Sequence, residues 1–176
     1  MNFFSLFKRK LIYKLKRKTL IDNDNINYYS IDELFHHYGS DKANFFKINQ
    51  RKGHGYSKFY ERKLKNLKEK KINILEIGSY AGASAAAFVK YFPNSKIFCF
   101  DINISKFEYI SKNIYVFGID INNEKKIEHT LQNIFSQNSF SKFDLIIDDG
   151  SHNLSDILLS LKLLFKFVKS GGLFVI

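Results

Sequence analysis

The sequence predicts an α/β protein whose core is a doubly wound parallel β-sheet. From residue 72 onward, short apolar runs alternate with longer runs of helical periodicity. Strands that are separated by helical crossovers pair in parallel and bury both faces of their sheet. The 176 residues suit one domain, and a hydrophobic fraction of 45% can supply a core of ordinary size.

Five strands and four intervening helices are predicted in this part of the chain. The predicted strands are Ile72–Ile77, Lys96–Asp101, Ile114–Phe117, Phe143–Asp148 and Leu173–Ile176. The predicted helices are Ala83–Tyr91, Ser105–Asn113, Glu124–Phe135 and Leu154–Lys169. Ahead of them, the segments Asp22–Tyr29 and Gly39–Gly55 are polar and predicted to be irregular.

Two further helices are predicted before the first strand. Ser30 and Glu33 have the S-x-x-E spacing of a capping box, which would start a short helix over Ile31–Tyr38. A charged helix over Tyr56–Lys70 would then lead into the sheet. We therefore divide the chain into a leader and linker, residues 1–30, and one domain, residues 31–176.

The leader is strongly basic. Its first 20 residues contain seven Lys and Arg residues and no acid, which accounts for most of the net charge of +11. A helix here would place Phe4, Phe7, Leu11 and Leu15 along one stripe, although Lys14 and Lys18 intrude on it. Two interpretations stay open, an amphipathic helix on an anionic membrane surface and a frayed, solvated arm. Nucleic acid is not an expected partner, because no nucleic-acid-binding module accompanies the basic residues.

The single cysteine and the absence of long apolar runs indicate in which cellular compartment the protein is expected. Cys99 falls in the second predicted strand and cannot form an intramolecular disulfide, so we expect a buried, unreactive thiol in a reducing cytoplasm. No apolar run approaches the ~20 residues of a membrane span. We expect a cytoplasmic protein, which the leader could hold at the inner face of the membrane.

The turn between the first strand and its helix predicts a cradle for a small molecule. Gly78 and Gly82 would let a ligand approach the backbone and the helix N-terminus. The spacing E-x-G-x-x-x-G differs from the dinucleotide fingerprint, and Glu76 would repel a pyrophosphate. This disfavours an NAD-linked enzyme and favours a ligand that carries an amino acid and a nucleoside. A tight turn without any ligand is the alternative.

Three strings give the chain a family resemblance. They are YGSDK with HGYSKFYER (residues 38–42 and 54–62), LEIGSYAGAS followed by Asp101, and FDLIIDDGSH (residues 143–152). Together they resemble the class I S-adenosylmethionine (SAM) methyltransferases, and among them the metal-dependent sugar O-methyltransferases of the macrocin and mycinamicin type. The resemblance covers roughly residues 31–176 and implies a Rossmann-like fold, SAM and Mg²⁺ as cofactors, and a sugar hydroxyl as methyl acceptor.

The chain ends within the predicted fifth strand, whereas the family's domain continues through further strands. We therefore expect the C-terminal strands of the fold to be missing from this chain. An edge strand left bare would expose apolar surface and unpaired backbone groups, which favours a homo-oligomer or another partner.

The cofactor-binding residues are predicted partly from the resemblance and partly from their chemistry. They are Glu76, Gly78, Tyr80, Gly82, Ser84, Asp101, Asp120, Asp148 and Tyr56. Asp101, at a strand end, could accept hydrogen bonds from both ribose hydroxyls, or instead cap the following helix. By resemblance, Asp120 would lie near the adenine, and a plain turn is the alternative. Tyr56 and Tyr60 would close over the cofactor or pack as aromatic core.

The DDGSH string is the predicted chemical centre. Asp148 and Asp149 should point to opposite faces of an extended backbone and so serve different tasks. By resemblance, Asp149 is a divalent-metal ligand, His152 is the general base that deprotonates a sugar hydroxyl, and Asp148 faces the cofactor. Mg²⁺ on carboxylates could activate a diol, and histidine takes up protons near neutral pH. The alternative is that these residues cap or pack against the next helix.

The sequence therefore predicts a SAM-dependent O-methyltransferase that acts on a sugar or glycoside hydroxyl, as in polysaccharide biosynthesis, with help from a divalent metal. The family's sites use further acidic metal ligands, at least one of them beyond the fifth strand. The alternative is a truncated, inactive SAM-binding relative that acts as a scaffold at a membrane surface.

Overall fold

The computed structural model describes residues 3–26 and 30–176, with side chains from residue 5 onward. Its helices are α1 (Phe3–Leu15), α2 (Ile31–Tyr38), α3 (Ser57–Leu64), α4 (Ala83–Tyr91), α5 (Glu124–Asn138) and α6 (Leu154–Leu164). Its strands are β1 (Thr19–Leu20), β2 (Phe45–Phe46), β3 (Arg51–Lys52), β4 (Ile72–Ile77), β5 (Ser95–Asp101), β6 (Tyr109–Ile110), β7 (Ile114–Gly118), β8 (Phe143–Asp148) and β9 (Val168–Val175). The side chain of Phe4 and the last three positions of the predicted loop Asp22–Tyr29 lie outside the described residues.

The main sheet has five parallel strands in the order β7-β5-β4-β8-β9. The strand order reverses between β4 and β8, whose last residues Ile77 and Asp148 are paired in register. Ligands of open α/β sheets bind outside the carboxyl ends of the strands at such a reversal. The predicted doubly wound parallel sheet is confirmed, and the loops after β4 and β8 meet at its switch point.

Apolar side chains cover both faces of this sheet. Along β4, the buried Ile74 belongs to a core cluster shared with α2 and α4, whereas its neighbour Leu75 belongs to a second cluster shared with α5. Neighbouring residues of a strand point to opposite faces, so one strand contributes to two cores. The result is a three-layer domain that fixes the carboxyl ends of the strands rigidly.

The helix predicted over Ser105–Asn113 is wrong. One 3₁₀ turn, Ile104–Lys106, is followed by β6, which pairs in parallel with β1. The reason is tertiary packing, because Phe107 is fully buried and the Tyr109 hydroxyl donates to the Tyr38 carbonyl oxygen over 2.8 Å. A regular helix through this segment would not place both aromatic side chains against the domain.

Two other predicted helices end early. The helix from Tyr56 ends at Leu64 and is followed by a 3₁₀ turn, and α6 ends at Leu164 instead of Lys169. The residues after α6 join the sheet, because β9 pairs with β8 from Val168 onward. The register of this pairing shifts between Phe143 and Leu145. The capping box of α2 is confirmed, because Glu33 N donates to the Ser30 hydroxyl and Ser30 N donates to the Glu33 carboxylate.

The leader is not a frayed arm. It forms α1, which packs on the 3₁₀ turn Ile104–Lys106 and on β7. Arg9 donates to the Ile102 carbonyl oxygen over 2.9 Å, and Lys16 forms an ion pair of 2.9 Å with Glu108. No helix in the described ranges is long and apolar enough to cross a membrane.

Candidate active site

A cavity of about 340 Å³ opens at the carboxyl ends of β4, β5, β7 and β8. Its lining includes five of the residues predicted to bind the cofactor, namely Gly78, Tyr80, Asp101, Asp120 and Asp148. Phe100, Ile119 and Ile121 add apolar walls. Acidic groups beside apolar walls can hold a ligand that has hydroxyl groups and a flat ring.

Asp101 fixes the shape of this cavity as well as lining it. Its two carboxylate oxygens accept from the backbone N–H groups of Tyr80, over 2.7 Å, and Asn103, over 2.5 Å. Each oxygen keeps a second lone pair, so acceptance from a ribose remains chemically available. The alternative role as a helix cap loses its basis, because the segment directly after Asp101 forms a 3₁₀ turn whose N-cap is Asn103, in place of the predicted α-helix.

Asp120 forms the turn that was one of its two predicted roles, and its place near the adenine stays a prediction. Its carboxylate accepts from the backbone N–H of Asn122 over 3.0 Å, as in a local turn, and the same side chain lines the cavity. The turn therefore presents the carboxylate to the cavity.

The two glycines of the cradle have packing reasons of their own. Gly78 has φ of +79°, and a Cβ there would lie 2.1 Å from the carbonyl oxygen of Asp149. Gly82 has φ of +81°, and a Cβ there would lie 2.4 Å from the ring of Phe107. Both positions favour glycine for conformation and for space. Their predicted role in binding the cofactor stays a prediction, while their role in packing the two loops together is visible.

A second cavity, of about 300 Å³, lies on the other side of the Gly78–Gly82 turn. Tyr80, which is 65% exposed, lines both cavities. Ser84 and the N-terminus of α4 face this second cavity. The turn therefore separates two neighbouring spaces and contributes to both.

Glu76 is completely buried and interacts with protein groups. Its Oε1 accepts from the Ser84 hydroxyl and lies 3.6 Å from the ammonium nitrogen of Lys42. Its Oε2 has no hydrogen-bond donor among the described residues. Direct binding of the cofactor by Glu76, which the sequence analysis predicted, would require this oxygen to become accessible.

Lys42 is the residue that the sequence analysis missed. Its side chain is only 4% exposed, and its ammonium group lies between the carboxylates of Glu76 and Asp149. It belongs to the irregular segment before β2 and so comes from outside the main sheet. The clue in the sequence was Glu76 itself, because an acid in a buried strand requires a cation or a proton.

The buried pair is electrostatically coupled. Burial by itself lowers the pKa of Lys42, but the carboxylates of Glu76 and Asp149 more than reverse this and raise it above its ordinary value of 10.5. Burial raises the pKa of the Glu76 carboxyl, and Lys42 and the Ser84 hydroxyl oppose this only in part. Lys42 therefore stays protonated, and the ionisation of Glu76 depends on it.

Asp149 and His152 are brought together at the mouth of the site. His152 Nε2 lies 3.7 Å from Asp149 Oδ1, while Lys42 holds the other oxygen, Oδ2. The His152 side chain is 68% exposed and its φ is +57°, which non-glycine residues seldom adopt. The histidine therefore neither packs in the core nor caps α6, whose N-cap is Asn153. It projects toward solvent beside a carboxylate.

Asp148 is held differently from its neighbour. It is 7% exposed, and its carboxylate accepts from the Ser160 hydroxyl on α6 and from the backbone N–H of Gly150 over 3.2 Å. Ser151, not Asp148, organises the start of α6 by donating to Asp156 over 2.5 Å. Asp148 thus ties the loop to α6 while it lines the first cavity.

A third cavity, of about 450 Å³, lies on the far side of Asp149. Tyr56 lines it together with Lys42, His152 and the end of β9, and Tyr56 stacks on His54 with ring centroids 5.4 Å apart. Tyr60 is 1% exposed and packs in the core, as one of its two predicted roles required. Tyr56 therefore faces a different cavity from the one that Asp101 and Asp120 line.

The described residues present few metal ligands. No group of three or more His, Cys, Asp or Glu side chains with the spacing of a metal site occurs in the described ranges. Lys42 contacts Oδ2 of Asp149, so that Oδ1, which lies 3.7 Å from His152 Nε2, is available to a metal ion. Mg²⁺ in proteins is commonly held by one or two carboxylates and several waters, so Asp149 fits a partial site of that kind.

A parallel sheet with a glycine-rich turn and acidic residues at its carboxyl ends is the arrangement of a nucleotide-binding α/β protein, and the comparison of sequences narrows this class. The chain belongs to the family described as "Methyltransferase domain", which matches residues 75–176. The resemblance that the three strings indicated is confirmed.

Individual relatives are O-methyltransferases by name, and one of the names includes a rhamnosyl group. The chain is 27% identical over 130 residues to the mycinamicin VI 2''-O-methyltransferase of Micromonospora griseorubida. It is 31% identical over 138 residues to the 8-demethyl-8-(2-methoxy-alpha-L-rhamnosyl)-tetracenomycin-C 3'-O-methyltransferase of Streptomyces olivaceus. Each match uses 70% of this chain but only 31% and 32% of the relatives, so the chain spans about a third of their length.

The fold also matches a solved structure. The MycE methyltransferase from the mycinamycin biosynthetic pathway, in complex with Mg, SAH and mycinamycin VI, superimposes with a TM-score of 0.67 at 23% identity. The match covers 85% of this chain and 39% of that chain. The Rossmann-like class I methyltransferase fold is therefore confirmed.

Proposed function

We propose that the protein is a SAM-dependent O-methyltransferase whose acceptor is a sugar or glycoside hydroxyl. The observation that carries the proposal is the distribution of side chains among the three cavities. Asp149 lines all three, whereas His152 lines the second and third but not the first. A cofactor in the first cavity and an acceptor beside His152 would thus meet at Asp149.

The first cavity suits the adenosyl part of SAM. Asp101 would accept from the ribose hydroxyls, Asp120 would lie near the adenine, and the apolar walls would pack against its ring. The cofactor found with the MycE methyltransferase, SAH, supports this choice. The rhamnosyl group in the name of the Streptomyces olivaceus relative supports a sugar acceptor.

The chemistry assigned to this chain's residues is a proton transfer next to a methyl transfer. His152 would take the acceptor hydroxyl proton as the oxygen attacks the methyl carbon, the carbon–sulfur bond breaks, and neutral S-adenosylhomocysteine leaves. Asp149 would orient the imidazole or the acceptor through its Oδ1. A divalent cation bound at Asp149 would supply charge that lowers the pKa of the acceptor hydroxyl.

Titration calorimetry with S-adenosylhomocysteine tests the cofactor part. We expect saturable binding that Asp101→Ala weakens at least tenfold, since a charge-assisted hydrogen bond to the ribose is lost. Glu69→Ala is the matched control, because this exposed carboxylate lies before β4, at the opposite end of the strand from the cavity. Binding that is absent, or equal in both variants, would contradict the cofactor assignment.

Transfer of a radiolabelled methyl group from SAM to methyl 6-deoxyhexosides, with and without Mg²⁺, tests the reaction. His152→Ala should lower the rate by about 10²–10⁴-fold while leaving S-adenosylhomocysteine affinity unchanged. Asp149→Ala should remove any response to Mg²⁺. Cofactor binding without transfer to any glycoside would instead favour the inactive scaffold.

The compartment and the assembly stay predictions. A reducing cytoplasm suits the single thiol, Cys99, which is completely buried. A homo-oligomer was expected because the fifth strand would lie at an edge, and β9 does lie at the edge of the described sheet.

A further inference from the structure

The apolar stripe of α1 faces away from the domain. Phe7, Leu11 and Leu15 follow one another at helical spacing and are 60%, 48% and 77% exposed. The helix packs on the domain through its other side, where the ring of Tyr13 meets Phe107 edge-on at 6.4 Å between centroids. An amphipathic helix normally buries its apolar stripe. Here the stripe forms an outward ridge, which we call the α1 ridge.

Basic side chains flank the α1 ridge. Lys8, Lys10, Lys14 and Arg17 are exposed, and none of them has a hydrogen-bond or ion-pair partner in the part of the chain that the structure describes. Helical geometry places Lys10 and Lys14 along one side of the ridge and Lys8 along the other. The basic side chains that do have partners, such as Lys16, belong to the face that docks on the domain.

A cationic cavity lies next to the ridge. Lys10 and Lys14 of α1 and Lys126 of α5 line a space of about 360 Å³ whose walls include Phe117, and no described residue around it is acidic. Burial lowers the pKa of Lys126, and repulsion by Lys10 lowers it further, with a partial offset by Asp120. An anion in this cavity would relieve that repulsion.

We propose that the α1 ridge and its flanking lysines are a docking surface for a bilayer that contains anionic phospholipids. The ridge would enter the boundary between headgroups and acyl chains, and the lysine cavity would receive a lipid phosphate. Charge complementarity selects this partner. A second copy of the chain, placed ridge to ridge, would bring the same basic flanks together, and a purely apolar partner would leave the lysines without counter-charges.

Flotation with lipid vesicles tests the proposal on the whole chain. The chain should float with vesicles of phosphatidylcholine and phosphatidylglycerol, and not with phosphatidylcholine alone. Lys10→Gln with Lys14→Gln should lower the apparent affinity roughly 30-fold, since each lysine near an anionic surface contributes about fivefold. Lys70→Gln with Lys71→Gln removes the same charge from an exposed turn and should change little.

The ridge is tested separately from the charge. Leu11→Ser with Leu15→Ser should lower the affinity for anionic vesicles at least tenfold, because two exposed leucines no longer enter the bilayer. Leu154→Ser with Leu158→Ser is the control, since these α6 leucines are 70% and 56% exposed. Circular dichroism should show the same helix content in every variant, because each substitution lies on an exposed position.

Four outcomes would overturn the proposal. They are no flotation of the unaltered chain, equal losses in the ridge pair and its control pair, equal losses in the two lysine pairs, and flotation that is insensitive to the ridge substitutions. Sedimentation without vesicles tests whether a second copy of the chain, instead of a bilayer, occupies the ridge. A dimer that Leu11→Ser with Leu15→Ser dissociates would show that a second copy covers the ridge.

Discussion

Replacing Lys42 by methionine should destabilise the fold by about 4 kcal/mol at neutral pH, because breaking a buried ion pair typically costs about 3–5 kcal/mol. The methionine keeps the apolar stem but removes the ammonium group from a side chain that is 4% exposed. The charges lie 3.6 Å apart. At an effective dielectric constant of about 20, that separation corresponds to about 4–5 kcal/mol, in agreement with the typical range.

The stability that Lys42→Met loses should depend on pH in a defined direction. Burial raises the pKa of Glu76 above its ordinary 4.5, and Lys42 opposes the rise. Without Lys42 the folded-state pKa rises further, so the folded chain binds a proton that the unfolded chain has released. Stability is then lost as pH rises from about 4.5 through the raised pKa. The deficit of Lys42→Met should therefore be smaller at pH 5 than at pH 8.

Urea unfolding followed by circular dichroism at pH 5, 6.5 and 8 measures this deficit. Adding Glu76→Gln to Lys42→Met should recover most of the lost stability and remove the extra loss at high pH, since no buried charge remains unpaired. Lys63→Met, on the exposed side of α3, controls for the substitution itself. A Lys42→Met deficit below about 1 kcal/mol, or one that is equal at pH 5 and pH 8, would refute the reasoning.

Two further substitutions and one labelling experiment have defined expected outcomes. Gly78→Ala should destabilise the fold by about 3 kcal/mol or more, because its Cβ would meet the Asp149 backbone at a position with positive φ. The control is Gly118→Ala, which has 3.4 Å of clearance and should be tolerated in the same urea titration. Ser30→Ala should lower the free energy of unfolding by about 1 kcal/mol through loss of the α2 cap, and Ser30→Gly by less. Burial raises the pKa of the Cys99 thiol, so the thiol should resist iodoacetamide in the folded chain and react at the unfolding rate in urea. Rapid labelling without denaturant would contradict this, because it would show that the strand is accessible.

The sequence predicted the central sheet well because its signals there are local. The bounds of β4, α4 and β8 match the predictions, since each is an apolar run bounded by glycine, acid or polar residues. The residues that line the first cavity were also predictable, because strand ends at a switch in strand order converge. Local patterns and topology together suffice for that part of the site.

The errors arose where distant contacts outweigh local pattern. The predicted helix Ser105–Asn113 fails because Phe107 packs against Gly82, a contact across 25 residues that helical periodicity cannot show. Lys42 was assigned no role for a similar reason, since its partners Glu76 and Asp149 lie far along the chain. The stripe of α1 was visible in the sequence, but its outward direction was not, because Tyr13 and Arg9 determine which side docks.

The position of Lys42 also sets the limits of the folding unit. The family match begins at residue 75, yet the cation that neutralises Glu76 comes from residue 42. A chain trimmed to the matched segment would bury the Glu76 carboxylate without its counter-ion Lys42. Glu76 would then have to be protonated in the folded state. The segment ahead of the sheet is therefore an integral part of the methyltransferase core, although the family description starts after it.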